Sequence, residues 1–344
     1  MDGDQSAFPR PGRATSYDVA RRAGVSQSAV SRCFRDGASV SPATRAKVLG
    51  AAQALNYAPN KIARSLITQR SRIVAVLVSE STTNSYPTLL LHLGREIQEA
   101  GQRMLVFILP GHGDPSSALP DLFGYHVDAV IAAVSVPEEM VRGCADHRLP
   151  VVTYNRVSRH PWASSVGCDD ATALGDLVAH LRAGGSRRLH ILSGPPNAPV
   201  AASRLRAAVQ AAATHGLEVA GVSHADYTHA GGRRAAADIL TGYARPDTIV
   251  CVNDAMALGV LDACRTDLSL GVPRDVSVTG YDDVPEGARP PYRLTTLAQP
   301  IEALTRAALH IVQERLGGTI LPGERRLMRA ALLVRESTRH LPSE

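Results

Sequence analysis

The fold of the N-terminal part is decided by residues 18–32, which read DVARRAGVSQSAVSR. The apolar spacing of its first half predicts a short helix that ends at Gly24, and Ser26 can cap a second helix. The positions expected to face inward are Tyr17, Val19 and Ala20 in the first helix and Ala29, Val30 and Cys33 in the second. Two short helices joined at a glycine are typical of a helix-turn-helix, an all-α DNA-binding unit.

The second of these helices carries the side chains expected to read DNA. In a helix-turn-helix the second helix enters the major groove with its N-terminal residues on the base edges. Gln27 and Ser28 are therefore the best placed readers, and Arg32 lies one turn further along.

A third helix is predicted after Ser41, which can cap it, and Pro42, which suits the first helical position. Its apolar positions recur at helical spacing, at Val48, Leu49, Ala52 and Leu55. Pro59 stops this helix, and residues 61–66 form a short basic segment before the first predicted strand.

These residues resemble the headpiece and hinge of the lactose-repressor (LacI/GalR) family. The matching stretches are Thr15, 18–20, 23–26, 30–32, 40–41, 44–45, 55–57, 59–60 and 63–66. The resemblance implies that DNA is contacted by Thr15, Ser26, Gln27, Ser28, Ser31, Arg32, Asn60, Ala63 and Leu66. It also implies that Leu66 enters the minor groove as an apolar wedge; the alternative is that Leu66 docks against the first strand.

Length and composition set outer bounds on the fold. The chain has 344 residues, 44% of them hydrophobic, which predicts two or three domains with a sizeable core. Its five cysteines are an odd number without a Cys-x-x-Cys pair, so neither a disulfide framework nor a zinc site is indicated. We expect a cytoplasmic protein without a signal peptide or a membrane span.

The positive charge is concentrated at the N-terminal end. Residues 1–72 carry 12 Lys and Arg against 4 Asp and Glu, whereas the rest of the chain carries 25 against 28. Such a basic end could merely keep a protein in solution. Together with the helix-turn-helix pattern, it indicates attraction to DNA phosphates.

From Ile73 onward, strand and helix patterns alternate at the spacing of βαβ units. The predicted strands are 73–78, 104–109, 127–134, 151–154, 188–192, 248–252 and 276–281, and the predicted helices are 89–100, 174–181, 203–214 and 256–264. This pattern predicts two α/β lobes with parallel sheets and a cleft between them, where a ligand binds beyond the carboxyl ends of the strands.

Polar pairs follow three of these strands, at 155–156, 253–254 and 282–283, and a fourth pair, 169–170, follows the strand-like stretch 166–168. Asn and Asp are common at such places because they cap the next helix or form turns. The functional interpretation is that several of them converge on one cleft.

The family resemblance continues through residues 253–259, 272–283 and 294–300, and it spans nearly the whole chain from Thr15 to Ser337. It implies a small effector, such as a sugar or nucleobase, held by Asn155, Arg206, Asn253 and Asp282. Two departures stand out. Asn155 replaces a more common Asp, and Arg206 lacks the Gly and the aromatic residue that usually follow, so Arg204 is a competitor.

The predicted architecture is an N-terminal all-α helix-turn-helix headpiece followed by a two-lobed, periplasmic-binding-protein-like α/β domain with parallel sheets. The predicted parts are a tail at 1–14, the DNA-binding domain at 15–59, the hinge helix and linker at 60–72, the two-lobed domain at 73–338 and a tail at 339–344. Within the two-lobed domain, the N-lobe takes about 73–168 and 298–325 and the C-lobe takes about 169–297 and 326–338.

The predicted function is that of a repressor-type transcriptional regulator controlled by a small polar effector. We expect a homodimer on a near-palindromic DNA operator, with no cofactor and no catalytic residues. The alternatives are an α/β enzyme and a two-lobed solute-binding protein. The sequence has no nucleophile elbow, zinc-protease motif or Gly-rich phosphate loop to favour an enzyme, and it carries a headpiece that a solute-binding protein would not need.

Overall fold

The structure is a computed structural model that describes residues 14–34, 38–58, 70–79, 87–110, 114–158, 160–242, 245–318 and 322–339. The chain divides into two compact units, Met1–Ser71 and Arg72–Glu344. The predicted hinge contacts Asn60, Ala63 and Leu66 lie outside the described residues.

The first unit contains the three predicted helices, α1 (Ser16–Ala23), α2 (Gln27–Cys33) and α3 (Pro42–Ala54). Each begins at a capping side chain: Thr15, Ser26 and Ser41 accept hydrogen bonds from backbone N–H groups of the first turn. Gly24 ends α1 in the left-handed conformation, at φ 67°. The buried apolar core consists of Val19, Ala20, Val30, Cys33, Val48, Ala51 and Ala52.

Two positions expected to be apolar contacts of this core face solvent instead. Tyr17 is 68% exposed and Leu49 is 45% exposed. Helical geometry explains both corrections, because neighbouring side chains are about 100° apart around the axis. Tyr17 stands two residues before the buried Val19, and Leu49 lies beside the face formed by Val48, Ala51 and Ala52.

The second unit contains two α/β lobes, as predicted. Within the described residues, the N-lobe sheet has the strand order β2-β1-β3-β4-β5-β11, with all neighbouring strands parallel. Its strands are β1 (Ile73–Ser79), β2 (Arg103–Leu109), β3 (Ala129–Ala132), β4 (Val151–Tyr154), β5 (Ala163–Cys168) and β11 (Arg325–Met328). The helices of this lobe are α4 (Pro87–Glu99), α5 (Leu119–Gly124), α6 (Glu138–Asp146) and α11 (Ile301–Leu316).

The C-lobe sheet has the strand order β7-β6-β8-β9-β10-β12 among the described residues, and only β12 runs antiparallel to its neighbour. Its strands are β6 (Arg188–Ser193), β7 (Glu218–His224), β8 (Thr248–Cys251), β9 (Ser277–Asp282), β10 (Thr295–Ala298) and β12 (Ala331–Leu333). Its helices are α7 (Asp170–Ala183), α8 (Pro199–Thr214), α9 (His229–Thr241) and α10 (Asp254–Asp262).

The described chain passes between the two sheets after β5, after β10 and between β11 and β12. The sequence placed the last passage after residue 325, but β11 stays in the N-lobe sheet through Met328 because it pairs with β5. In the part of the chain that the structure describes, no helix is both long and apolar enough to cross a membrane.

Candidate functional site

Polar side chains predicted to contact DNA lie on the exposed face of α2, at its N-cap and at the N-cap of α1. Thr15, Ser26, Gln27, Ser28, Ser31 and Arg32 are all exposed. Burial of Val30 and Cys33 on the opposite face holds the helix against the core. A helix that reads the major groove needs polar side chains on its exposed face and a buried face that holds it in place.

Local hydrogen bonds position this surface. Ser26 Oγ accepts from the Ala29 amide at 3.2 Å and lies 2.9 Å from Ser28 Oγ. Gln27 Nε2 donates to Ser16 Oγ at 3.3 Å, which links the start of α2 to the start of α1. Thr15 caps α1 through a reciprocal box with Asp18, so its side chain also has a structural role.

The second unit has a polar cleft where the carboxyl ends of its strands meet. Asn155 follows β4, and Asp282 is the last residue of β9. Asn155 Nδ2 donates to Gln299 Oε1 at 2.5 Å, and Gln299 Nε2 donates to Asp282 Oδ1 at 2.8 Å. Gln299 lies directly after β10, where the chain leaves the C-lobe sheet. A chain of hydrogen bonds therefore connects the N-lobe to the C-lobe through a crossing segment.

Arg204 on α8 provides the cation at the C-lobe end of this chain. Its side chain is buried, and Nη1 donates to Asp282 Oδ1 at 3.2 Å and to the Val252 carbonyl at 2.6 Å. Its Nε lies 3.8 Å from Asp170 Oδ1, and the guanidinium stacks 3.5 Å from the centre of the Tyr281 ring. This arrangement satisfies a buried charge by ion pairing, a carbonyl and a cation–π contact.

Of the two candidate arginines of α8, Arg204 is the one that pairs with Asp282, and both line the smaller cavity of the cleft. Arg206 is exposed, although it still lines a cavity of the cleft. Positions two residues apart lie about 200° apart around the helix axis, which explains why Arg204 is buried and Arg206 is exposed. The sequence contained the signal: Arg204 falls between Ala201 and Ala208 at the spacing of the buried face of α8.

Asn253 and Asp254 are buried, and their hydrogen bonds fix the backbone around the cleft. Asn253 caps α10 through the Met256 amide at 3.1 Å, and its Nδ2 donates to the Tyr227 carbonyl at 3.0 Å. Asp254 accepts from Thr296 Oγ1 at 2.6 Å and from the Val284 amide at 2.8 Å. Burial, reinforced by the Asp282 charge, raises the pKa of Asp254 to about 7.

Several cleft residues have a backbone conformation that L-residues rarely adopt. The φ angles are 53° at Asn155, 128° at Asp282 and 61° at Asp283. Backbone strain of this kind persists where the surrounding structure fixes it, and it clusters at binding sites. Asp283 is fixed by Arg335 Nη2, which donates to its carboxylate at 2.6 Å.

Two cavities adjoin the cleft among the described residues. One, of about 350 Å³, is lined by residues after β4 and β5 and by the first turns of α8, including Asn155, Cys168, Ser203 and Arg204. The other, of about 1030 Å³, is lined by Asp282, Gln299 and residues of α4, α10 and α11. The smaller volume lies within the range of small-molecule sites.

Burial keeps the Cys168 thiol and the Tyr154 hydroxyl of the cleft protonated. Burial raises the pKa of the Cys168 thiol to about 12, so it is not an activated nucleophile. Burial also raises the pKa of Tyr154, whose hydroxyl is buried without a hydrogen-bond partner among the described residues. The site therefore offers neutral donors and acceptors beside the charged pair of Arg204 and Asp282.

Comparison with known proteins assigns the chain to a family. Residues 15–60 match the model described as bacterial regulatory proteins, lacI family, and residues 178–338 match the periplasmic binding protein-like domain. The HTH-type transcriptional repressor CytR of Escherichia coli K12 is 30% identical over 337 residues, covering 96% of this chain and 97% of that protein. The ribose operon repressor of the same strain is 31% identical over 334 residues, covering 94% and 99%.

A solved structure gives the same result. The lac repressor dimer bound to operator and the anti-inducer ONPF has a TM-score of 0.87, with 25% identity over 95% of this chain and 100% of that chain. The chain belongs to the lacI family of bacterial regulatory proteins.

Proposed function

We propose that this protein is a transcriptional repressor whose affinity for a DNA operator is set by a small effector bound between its lobes. The exposed polar face of α2 on a buried three-helix core supports the DNA-binding part. The observation that carries the effector part is the hydrogen-bond chain Asn155–Gln299–Asp282–Arg204, which spans both lobes.

The proposed effector contacts come from Asn155, Arg204 and Asp282, with Arg206 at the edge and Asn253 acting mainly as a helix cap. Gln299 joins this set because it bridges Asn155 and Asp282. An effector that takes over these hydrogen bonds binds one arrangement of the lobes better than another. A ligand shifts such an equilibrium only by its differential affinity for the two arrangements, and operator binding changes by the same coupling.

On DNA, the proposed protein acts as a homodimer that reads two half-sites of a near-palindrome through Gln27, Ser28 and Arg32. The proposed hinge contacts are Asn60, Ala63 and Leu66. Residues 61–66 are too few for a stable isolated helix, so we propose that they order on binding, with Leu66 opening a base step.

We propose further that the cleft binds its effector without catalysing a reaction and that the protein works in the cytoplasm, beside the DNA. The raised pKa of Cys168 supports the absence of thiol chemistry, because the thiolate is the reactive form.

Selection of the full-length protein on random duplex DNA at physiological salt tests this function. We expect the bound pool to contain a near-palindrome with a deformable centre, since a dimer that inserts Leu66 bends its site. A pool without enrichment, both alone and with added cell metabolites, would contradict the regulator assignment. An asymmetric single half-site would contradict the dimer.

A further inference from the structure

The smaller cavity of the cleft has an excess of positive charge. Its described lining includes four arginines, at 156, 204, 206 and 325, but only one carboxylate, that of Asp170. Arg204 is compensated by Asp282 and Asp170 at 3.2 and 3.8 Å. Arg325 lies close enough to the carboxylate of Asp169 to help lower its pKa, which leaves Arg156 and Arg206 without an ion pair among the described residues.

Arg156 is the least satisfied of these arginines. It is partly buried, and its Nε is fully buried without a hydrogen-bond partner among the described residues. Its Nη1 makes a long contact with the Tyr154 carbonyl at 3.4 Å. No described carboxylate forms an ion pair with Arg156. Burial is the main cause that lowers the pKa of Arg156, to about 10. Buried charges in proteins are normally paired.

The start of α8 adds a second, independent positive element. Pro199 and Val200 of its first turn and Ser203 of its second turn line the same cavity. No side chain caps this sixteen-residue helix, and because its first residue, Pro199, has no N–H group, Val200 carries the first N–H donor of the helix. A helix N-terminus carries partial positive charge and binds anions. The exposed side chains of Arg206 and Arg325 face the same cavity from its open edge.

We propose that the effector of this protein carries an anionic group, a phosphate or a carboxylate, which binds in the smaller cavity between Arg156, Arg206 and the start of α8. This inference rests on the proposed function and names the class of its ligand. The acidic and amide groups of Asp282 and Gln299 then hold the uncharged, hydroxyl-bearing part. Guanidinium groups suit phosphate and carboxylate because their planar donors bind two oxygens at once.

Inorganic phosphate is the first probe. Trp162 is the only tryptophan of the sequence and lies in the second unit, so its fluorescence reports unfolding of the unit that contains the cleft. We expect phosphate to raise the unfolding temperature of the full-length protein by several degrees above sodium chloride of equal ionic strength. Equal unfolding temperatures in the two salts would overturn the proposal.

Two variants locate the effect. Arg156→Gln and Arg206→Gln should each weaken the apparent phosphate affinity about tenfold or more. Arg206 is exposed, so its replacement does not depend on refolding of the interior. The matched control is Arg142→Gln, because Arg142 is an exposed arginine that pairs only with Glu138 on its own helix at 3.5 Å. Phosphate binding that survives both cleft substitutions would refute the site.

Further probes separate the sources of the anion. Comparing the affinities for acetate and phosphate distinguishes a carboxylate ligand from a phosphate ligand. Comparing the affinities for ribose 5-phosphate and ribose tests whether the anion is carried on a sugar. Ribose binding as tightly as ribose 5-phosphate would overturn the anionic effector. The DNA selection above distinguishes failure of this inference from failure of the proposed function. Enrichment of an operator by a protein that binds no anion refutes only the anionic effector. Anion binding that depends on Arg156, without enrichment of an operator, refutes only the regulator assignment.

Discussion

Replacement of Arg204 by methionine tests the central cluster of the cleft. Arg204 and Asp282 are 4% and 6% exposed, so the substitution leaves a buried carboxylate that retains Gln299 as a donor but loses its cation. Removing one partner of a buried ion pair costs about 3–5 kcal/mol. The lost stacking on Tyr281 adds to this cost, and the bond from Gln299 offsets part of it.

We therefore expect Arg204→Met to lower the free energy of unfolding by about 3 kcal/mol or more. For a unit of this size, that corresponds to a fall of roughly 6–12 °C in the unfolding temperature. The double variant Arg204→Met, Asp282→Asn should recover part of the loss, because it removes the unpaired charge as well.

Urea unfolding followed by Trp162 fluorescence measures these differences in the unit that contains the cleft. Arg206→Met is the matched control, since Arg206 is an exposed arginine two residues away and should change stability by no more than about 0.5 kcal/mol. The reasoning is refuted by an Arg204→Met protein as stable as the wild type, or by an equal loss in the control.

The remaining predictions concern pH and DNA. The pKa of Asp254 in the folded protein, about 7, lies above its ordinary value. The contribution of Asp254 to the free energy of unfolding is therefore complete below about pH 4 and is lost as the pH rises through 7. Asp254→Asn should flatten the fall of the urea midpoint over this range, and an unchanged slope would exclude Asp254 as its cause. Gln27→Ala should relax base preference at one operator position by about 1–3 kcal/mol without changing the salt dependence, measured by competition binding; a uniform loss over all sequences would make it a phosphate contact. Leu66→Ala should reduce specific affinity and spare the non-specific component in salt titrations, whereas equal losses would rule out the wedge.

The helix-turn-helix and the main strands could be predicted because their signals are local. Caps at Ser26 and Ser41, the turn at Gly24 and the apolar run of β1 each act within a few residues. The predicted set lacks several described elements, namely the strands β5, β7, β10, β11 and β12 and the helices α5, α6, α9 and α11. Residues of β7 alternate between exposed and half-buried, so β7 lacks the apolar run of a covered strand.

The position of the cleft was predictable, but its hydrogen-bond network was not. The positions of Asn155 and Asp282 after strands followed from the fold class, since parallel strands end at one edge. The bridge made by Gln299 depends on a contact between residues 144 positions apart, which no local pattern encodes. Both Arg204 and Arg206 stay candidates from the sequence, and the burial of Arg204 follows from the face that it shares with Ala201 and Ala208.

The measurement that most directly tests effector control is operator affinity with and without a metabolite extract, for the wild type and for Asp282→Asn. The account predicts that the extract changes the wild-type affinity by about 5–150-fold. It also predicts that Asp282→Asn binds the operator comparably without extract and responds little to it. A wild type indifferent to the extract, or a variant that responds as the wild type does, would contradict control through the cleft.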